Sequence, residues 1–229
     1  MSNKVELIGW YGGDEINACS AWTSTNRDLT AKKKERIPEL LKMLADPLNR
    51  HETPFEKSIV HFLVDTEIAS HIHILKHRIS SLNAESARYK ELKEDKFYIP
   101  EDWENAKLEE DLDIENWYGH FSALKGEAWS NILEDYTKVG NELYHRALKD
   151  LTPVLGRKRA KESGRFFKTY NSQIQADVMF NFRSFVNFQR LRNSEHAQLE
   201  IREIAAEMLR LVKEIPGDPF KYTIEAFGL

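Results

Sequence analysis

Apolar positions recur along the chain at strand or helix spacing, and the pattern breaks at glycine, proline and short polar residues. The segment "KVELIGWYG" is rich in strand formers and stops at Gly12 and Gly13, which predicts a first strand. In "KKKERIPELLKMLADPLN", Ile37, Leu40, Leu41 and Leu44 recur every three or four residues, predicting one helix with Lys32, Lys33 and Lys34 at its solvated end. "KSIVHFLVD" reads as a buried strand, and "TEIASHIHILK" as a helix through Ile68, Ile72 and Leu75. Residues 103–113 are acidic and unpatterned, an exposed connection. A long helix is predicted from about Trp117 to Leu148, with Phe121, Leu124, Ile132, Tyr136, Val139 and Leu143 on one side. "GRKRAKESGR" is a basic patch beside it, and "FKTYNSQIQADVMF" has a strand-like mixture. The segment from Glu195 to Ile215 is an amphipathic helix through Ile201, Ala205, Met208 and Val212. With no repeat, low-complexity tract or linker, residues 1–229 are expected to form a single α+β domain with long helices.

Composition narrows the function classes. A chain of 229 residues can bury roughly 70% of its unfolded surface without a disulfide or metal. Lys and Arg total 33 against 37 Asp and Glu, a formal charge of −4, which argues against a sequence-independent nucleic-acid binder. Cys19 is the one cysteine, so no intramolecular disulfide or cysteine-rich zinc site can form. The N-terminal run lacks the apolar core of a signal peptide, and nowhere do about 18 apolar residues run together. A cytoplasmic protein with neither membrane nor nucleic-acid partners is expected.

The candidate chemistry lies in three clusters. "KHRISSLNAESARY" crowds Lys76, His77, Arg78 and Arg88 around Ser80, Ser81, Asn83 and Ser86, the composition of a turn that holds an anion. In "HETPFE", Thr53 as N-cap, Pro54 at the first helical position and Glu56 three residues later make a capping box; alternatively, His51, Thr53 and Glu56 face a ligand. In "NFRSFVNFQRLRNSEHAQ", Asn181, Arg183, Asn187 and Arg192 lie along a helix whose Phe182, Phe185, Val186 and Leu191 pack inward. Amides and guanidinium groups beside aromatic surface suit a planar polar ligand, although a solvated helix face has the same pattern. His73 and His77 have the four-residue spacing of two zinc ligands, but there is no Glu beside the first and no evident third ligand, so no metal is expected. There is no dinucleotide fingerprint, P-loop or nucleophile elbow.

The three clusters, in this order, resemble the flavin-dependent thymidylate synthases, the ThyX family. The family signature is Arg-His-Arg, seven arbitrary residues and Ser; here His77 and Arg78 are followed by seven residues and Ser86, and the match continues through Arg88 and Tyr89. The resemblance implies a mainly antiparallel sheet packed by long helices, assembled as a homotetramer with active sites at subunit interfaces. It implies methylation of dUMP at C5, with FAD as cofactor and methylenetetrahydrofolate and NADPH as co-substrates. Carried over by position, His51, Thr53, Glu56, Lys76, His77, Arg78, Ile79, Asn181, Arg183, Asn187 and His196 correspond to flavin-binding residues. His73, Lys76, Glu85, Ser86, Arg88, Arg165 and Arg192 correspond to the nucleotide side, with Arg192 the catalytic residue beside the pyrimidine. Cys19 is then a packing residue, since no protein cysteine attacks the pyrimidine in this family.

Three positions depart from the family pattern. Lys76 replaces the first Arg, His73 stands where Gln is common, and Ala84 takes a position often held by Glu, with Glu85 one residue later. Lys keeps the charge but loses the planar fork of Arg. A C5-methylase of another pyrimidine nucleotide, such as UMP or dCMP, is therefore an alternative, as is a flavin- or nucleotide-binding relative that has lost methylation. An RNA-binding module fits the net charge poorly.

Overall fold

Alternation in the first segment makes strand β1 (Lys4–Tyr11), whose Val5 and Leu7 pack against the core while Lys4, Glu6 and Ile8 face outward. The structure is a computed structural model, and it describes residues 2–48, 51–116 and 119–229. After β1 come α1 (Asp14–Trp22), α2 (Ala31–Glu35), α3 (Ile37–Ala45), a short 3-10 helix (Thr53–Lys57), β2 (Ile59–Glu67), α4 (Ile68–Leu75) and β3 (Ser81–Ala84). A second 3-10 helix (Glu101–Asn105), β4 (Leu112–Asn116), β5 (Gly119–Ala123), α5 (Trp129–Leu155), α6 (Arg157–Gly164) and a third 3-10 helix (Arg165–Phe167) follow. The chain ends with β6 (Gln173–Asn181), α7 (Phe182–Arg192), α8 (Leu199–Lys213) and α9 (Lys221–Phe227).

The chain divides into two compact units: one holds residues 3–65, 70–84 and 175–229, and the other Ser2, 66–69 and 85–174. The first contains a four-stranded sheet in the order β1-β2-β6-β3. β1 and β2 are antiparallel, with Val5 opposite Val64 and Leu7 opposite Phe62; a register shift after Leu7 then sets Trp10 opposite Val60. β3 and β6 are also antiparallel, with Leu82 opposite Val178. Phe62, Phe180, Phe182, Phe185 and Phe188 are fully buried under this sheet, and Phe182 stacks on Phe220. Each such ring contributes roughly 1.5–3 kcal/mol by leaving water. In α8, Ile201, Ala205, Met208 and Val212 are buried at the predicted spacing. Asp14 ties α9 to α1: its carboxylate accepts from the backbone N–H groups of Tyr222 and Thr223 and from the Thr223 hydroxyl, at 2.8, 2.8 and 2.6 Å.

In the second unit, β4 and β5 form a two-stranded antiparallel ladder. The long helix begins at Trp129 instead of Trp117, which lies outside the described residues. Phe121 belongs to β5, and Leu124 precedes a turn where Gly126 adopts a φ of 88° that a helix does not tolerate. Tyr136, Val139 and Leu143 form an exposed stripe, while Thr137, Asn141, Tyr144 and Leu148 are buried. Inward-facing polar groups are satisfied by hydrogen bonds: the Tyr144 hydroxyl accepts from Leu92 N–H at 3.0 Å, and the Asn141 carbonyl accepts from Lys168 Nζ at 2.7 Å. The acidic connection is partly structured, because Leu108 is buried with Ala123 and Ile132.

Other boundaries also shift. The helix expected across residues 32–49 is two, broken at Arg36 before the Pro38 turn. Thr66 and Glu67 end strand β2 instead of starting α4. The basic patch is helix α6, Leu191 is exposed, and residues 81–84 of the anion-holding turn form edge strand β3. No capping box forms at Thr53: Glu52 occupies the N-cap position, and there is no side-chain cap bond. Among the described residues, no helix is long and apolar enough to cross a membrane, and no three His, Cys, Asp or Glu side chains are grouped to hold a metal.

Candidate active site

In the first unit, β6 runs directly into α7, and the junction is capped by Asn181, whose Oδ1 accepts from Ser184 N–H at 2.8 Å. This cap sets which side of α7 is covered. Phe182, Phe185, Val186 and Phe188 turn into the core, leaving Arg183 and Asn187 exposed one turn apart.

Arg183 reaches the 3-10 helix at Thr53–Lys57. Its Nε donates to Glu52 at 2.9 Å and its Nη1 to Glu56 at 2.7 Å, and the Glu56 bond is the main reason its proton is held even more firmly than usual. Beside it, His77 is buried at the end of the α4 segment, with its ring edge-on to Phe188 at 4.9 Å. Arg192 Nε donates to His77 Nε2 at 3.1 Å. Burial, then the positive charge of Arg192 and the neighbouring His73, lowers the His77 pKa to about 4. The imidazole is therefore neutral at physiological pH, and because Nε2 accepts, the proton resides on Nδ1.

Arg183, its two carboxylate partners and His77 open onto a groove of about 310 Å³, whose lining does not include Arg192. Glu56, His77, Ile79, Arg183 and Asn187, from three sequence clusters, converge on its lining. His51 and Thr53 instead line a separate groove of about 460 Å³ with Trp22 and Met43. Lys76, Arg78 and His196 are exposed outside both grooves, and His73 is half-buried on α4. Glu52, Arg190 and Phe227 also line the first groove and were not singled out by the sequence reading. Arg190 was within its reach, since it follows Arg183 and Asn187 on the helical repeat.

The second unit holds the remaining candidates. Ser86 begins a turn in which its hydroxyl accepts from Arg88 N–H at 3.3 Å. Arg88 donates through Nε and Nη2 to Glu162 of α6 at 3.1 and 3.0 Å, and Lys161 donates to the Tyr89 carbonyl. Arg165 lies exposed just after α6, and Glu85 pairs with Lys90 at 2.6 Å. The segment carrying Ser86 and Arg88 is thus cross-linked to the helix that leads into Arg165.

A model of the thymidylate synthase complementing protein family matches residues 6–216. The chain belongs to that family. Its relatives include the flavin-dependent thymidylate synthase of Thermosipho melanesiensis, 32% identical over 92% of this chain and 85% of that protein. The corresponding enzyme of Thermosipho africanus is 29% identical over 97% of this chain and 90% of its own length. Among solved structures, the UMP/dUMP methylase PolB from Streptomyces cacaoi, bound with 5-Br dUMP, has the same fold. It superposes with a TM-score of 0.74 at 24% identity, covering 99% of this chain and 95% of that one. The family match takes in all three clusters.

Proposed function

We propose that this chain is a flavin-dependent thymidylate synthase that methylates C5 of dUMP, using methylenetetrahydrofolate as carbon donor and NADPH to reduce FAD. The observation that carries this reading is the convergence of Glu56, His77, Ile79, Arg183 and Asn187, distant in sequence, on one groove. The lining fits a flavin. Its volume of about 310 Å³ is at the small end of ligand sites, its guanidinium and amide groups suit polar ring edges, and the exposed Ile79 offers apolar cover. Bound FAD supplies the hydride that completes the methyl group.

The chain's own residues bind and orient. Arg192 gives its Nε–H to His77 and keeps its Nη hydrogens for the pyrimidine, where a fixed cation stabilises the electron-rich ring that attacks the carbon donor. His77, neutral and buried, holds that guanidinium without competing for its charge. Ser86, Arg88 and Arg165 take the nucleotide phosphate, each arginine bond contributing about 1.5–3 kcal/mol. In this reading, residues 1–229 act as one synthase domain in the cytoplasm. The domain assembles as a homotetramer whose subunit interfaces complete the active sites. The exposed Tyr136, Val139 and Leu143 stripe on α5 supports such an assembly, and Val139→Glu should shift the tetramer to smaller species in light scattering.

His73, Lys76 and Ala84 favour a second reading, in which UMP or dCMP is the substrate. The deciding experiment follows the visible spectrum of the protein with FAD while dUMP, UMP and dCMP are added separately, and then assays methylated product from each. Flavin bands that shift with dUMP, followed by dTMP formation, establish the first reading. Product from UMP or dCMP alone establishes the second, and failure to retain FAD overturns both.

A further inference from the structure

Arg183, Asn187 and Arg190 stand at i, i+4 and i+7 on α7 and line the same groove. The two arginines differ in charge balance. Arg183 is held by the carboxylates of both Glu52 and Glu56, so its charge is compensated. Arg190 has no carboxylate in ion-pair range among the described residues, and its guanidinium lies 5.4 Å from the ring centroid of Phe227. Phe227 is buried and packs edge-on against Phe55 at 4.7 Å, which makes a firm platform for that cation. Among the described residues, Arg190 is therefore the cation of this wall that has no carboxylate partner, and it balances the second carboxylate on Arg183 so that the four charged side chains sum to zero.

We infer that Arg190 is an anion-binding residue of this groove and takes the pyrophosphate of the flavin dinucleotide. The inference rests on the flavin reading above. FAD carries its formal negative charge on the pyrophosphate, and the residues proposed for the nucleotide phosphate, Ser86, Arg88 and Arg165, belong to a different part of the chain. A guanidinium with no carboxylate partner, in a groove that accepts FAD, is thus matched to the pyrophosphate, whereas Arg183, already doubly paired, is suited to orienting neutral edges.

Affinities for FAD, FMN, riboflavin and inorganic pyrophosphate, measured on the intact protein, Arg190→Ala and Arg190→Lys, test the assignment. Arg190→Ala should weaken FAD by about tenfold or more. It should leave riboflavin unchanged and flatten the salt dependence of FAD binding. Arg190→Lys should retain most of the affinity, and circular dichroism should match the parent. Equal losses across the flavin series, or an unchanged FAD affinity, would overturn the assignment. If the parent binds no flavin but binds pyrophosphate in an Arg190-dependent way, the flavin reading fails while the anion site stands. If the parent binds neither, both fail.

Discussion

Arg192, at the end of α7, donates from Nε to Nε2 of His77, 3.1 Å away and 115 residues earlier in the chain. The bond joins two motifs that the sequence presents separately, and it gives the guanidinium a single orientation. Replacing Arg192 with Ala should lower the methylation rate by about 10²-fold or more while flavin retention stays near that of the parent. Product formation and bound-flavin absorbance, read on the same preparation, separate the two effects. Unchanged turnover would remove Arg192 from the chemistry.

Burial of His77, reinforced by the charge of Arg192, makes stability depend on pH. His77 titrates near 6.5 when unfolded and at about 4 when folded, so between those values the unfolded state binds more protons. Its contribution is fully present above pH 6.5 and is lost as pH falls toward 4, by roughly 3 kcal/mol at most. His71, also lowered by burial, adds a separate dependence in the same direction. Urea unfolding of the parent and His77→Gln from pH 4 to 7.5 should show a shallower acid loss in the variant. Parallel curves would mean that the His77 ring is not held neutral.

Asn187 faces the groove from the exposed side of α7. Asn187→Ala should therefore weaken FAD binding by about 1 kcal/mol, the value of a neutral hydrogen bond, without moving the thermal midpoint. Fluorescence titration against scanning calorimetry reads both quantities. Equal flavin content in mutant and parent would move Asn187 out of the site.

Asp14 is buried, and burial raises its pKa even though hydrogen bonds from Thr223 and Tyr222 oppose that shift. Asp14→Ala would leave two backbone N–H groups at the start of α9 without their acceptor. The expected cost is about 2 kcal/mol in denaturant unfolding. A loss below a few tenths of that would show that water replaces the carboxylate.

Gly140 lies where α5 meets the Arg165–Phe167 turn, and a Cβ added there would stand 2.7 Å from the Phe167 carbonyl oxygen. Backbone cannot yield as a side-chain tip does, so Gly140→Ala should destabilise the protein by about 1–3 kcal/mol. Through displacement of Arg165 it should also weaken dUMP binding more than FAD binding. Isothermal titration with each ligand checks the contrast, and equal losses would place the effect outside the turn.

Local pattern was enough for several features. The strands through Val5, Val64 and Phe180, and the helix through Ile201, Ala205, Met208 and Val212, follow from side-chain periodicity, because burial on one face is a property of consecutive residues. The order of the three motifs likewise identified the family and five of the ten residues that line the first groove. Periodicity misled on α5: Tyr136, Val139 and Leu143 form a sound apolar stripe, yet they point outward. Thr137, Asn141 and Tyr144 can turn inward because Leu92, Lys168 and Asn171 supply their hydrogen bonds. Those partners are remote in sequence, so no local window contains them.

The candidate site divides along the same line. By itself, the sequence determined the residue types and their order, since an Asn-Arg-Asn helix face and a Lys-His-Arg turn carry their chemistry in their side chains. Only the tertiary structure decided that Glu52 joins Glu56 on Arg183 while Arg190, with no carboxylate in range among the described residues, lies over Phe227, and that His77 is buried against Arg192. Charge balance and proton affinity depend on distances between atoms and on exclusion of water, and both arise only when distant segments pack together.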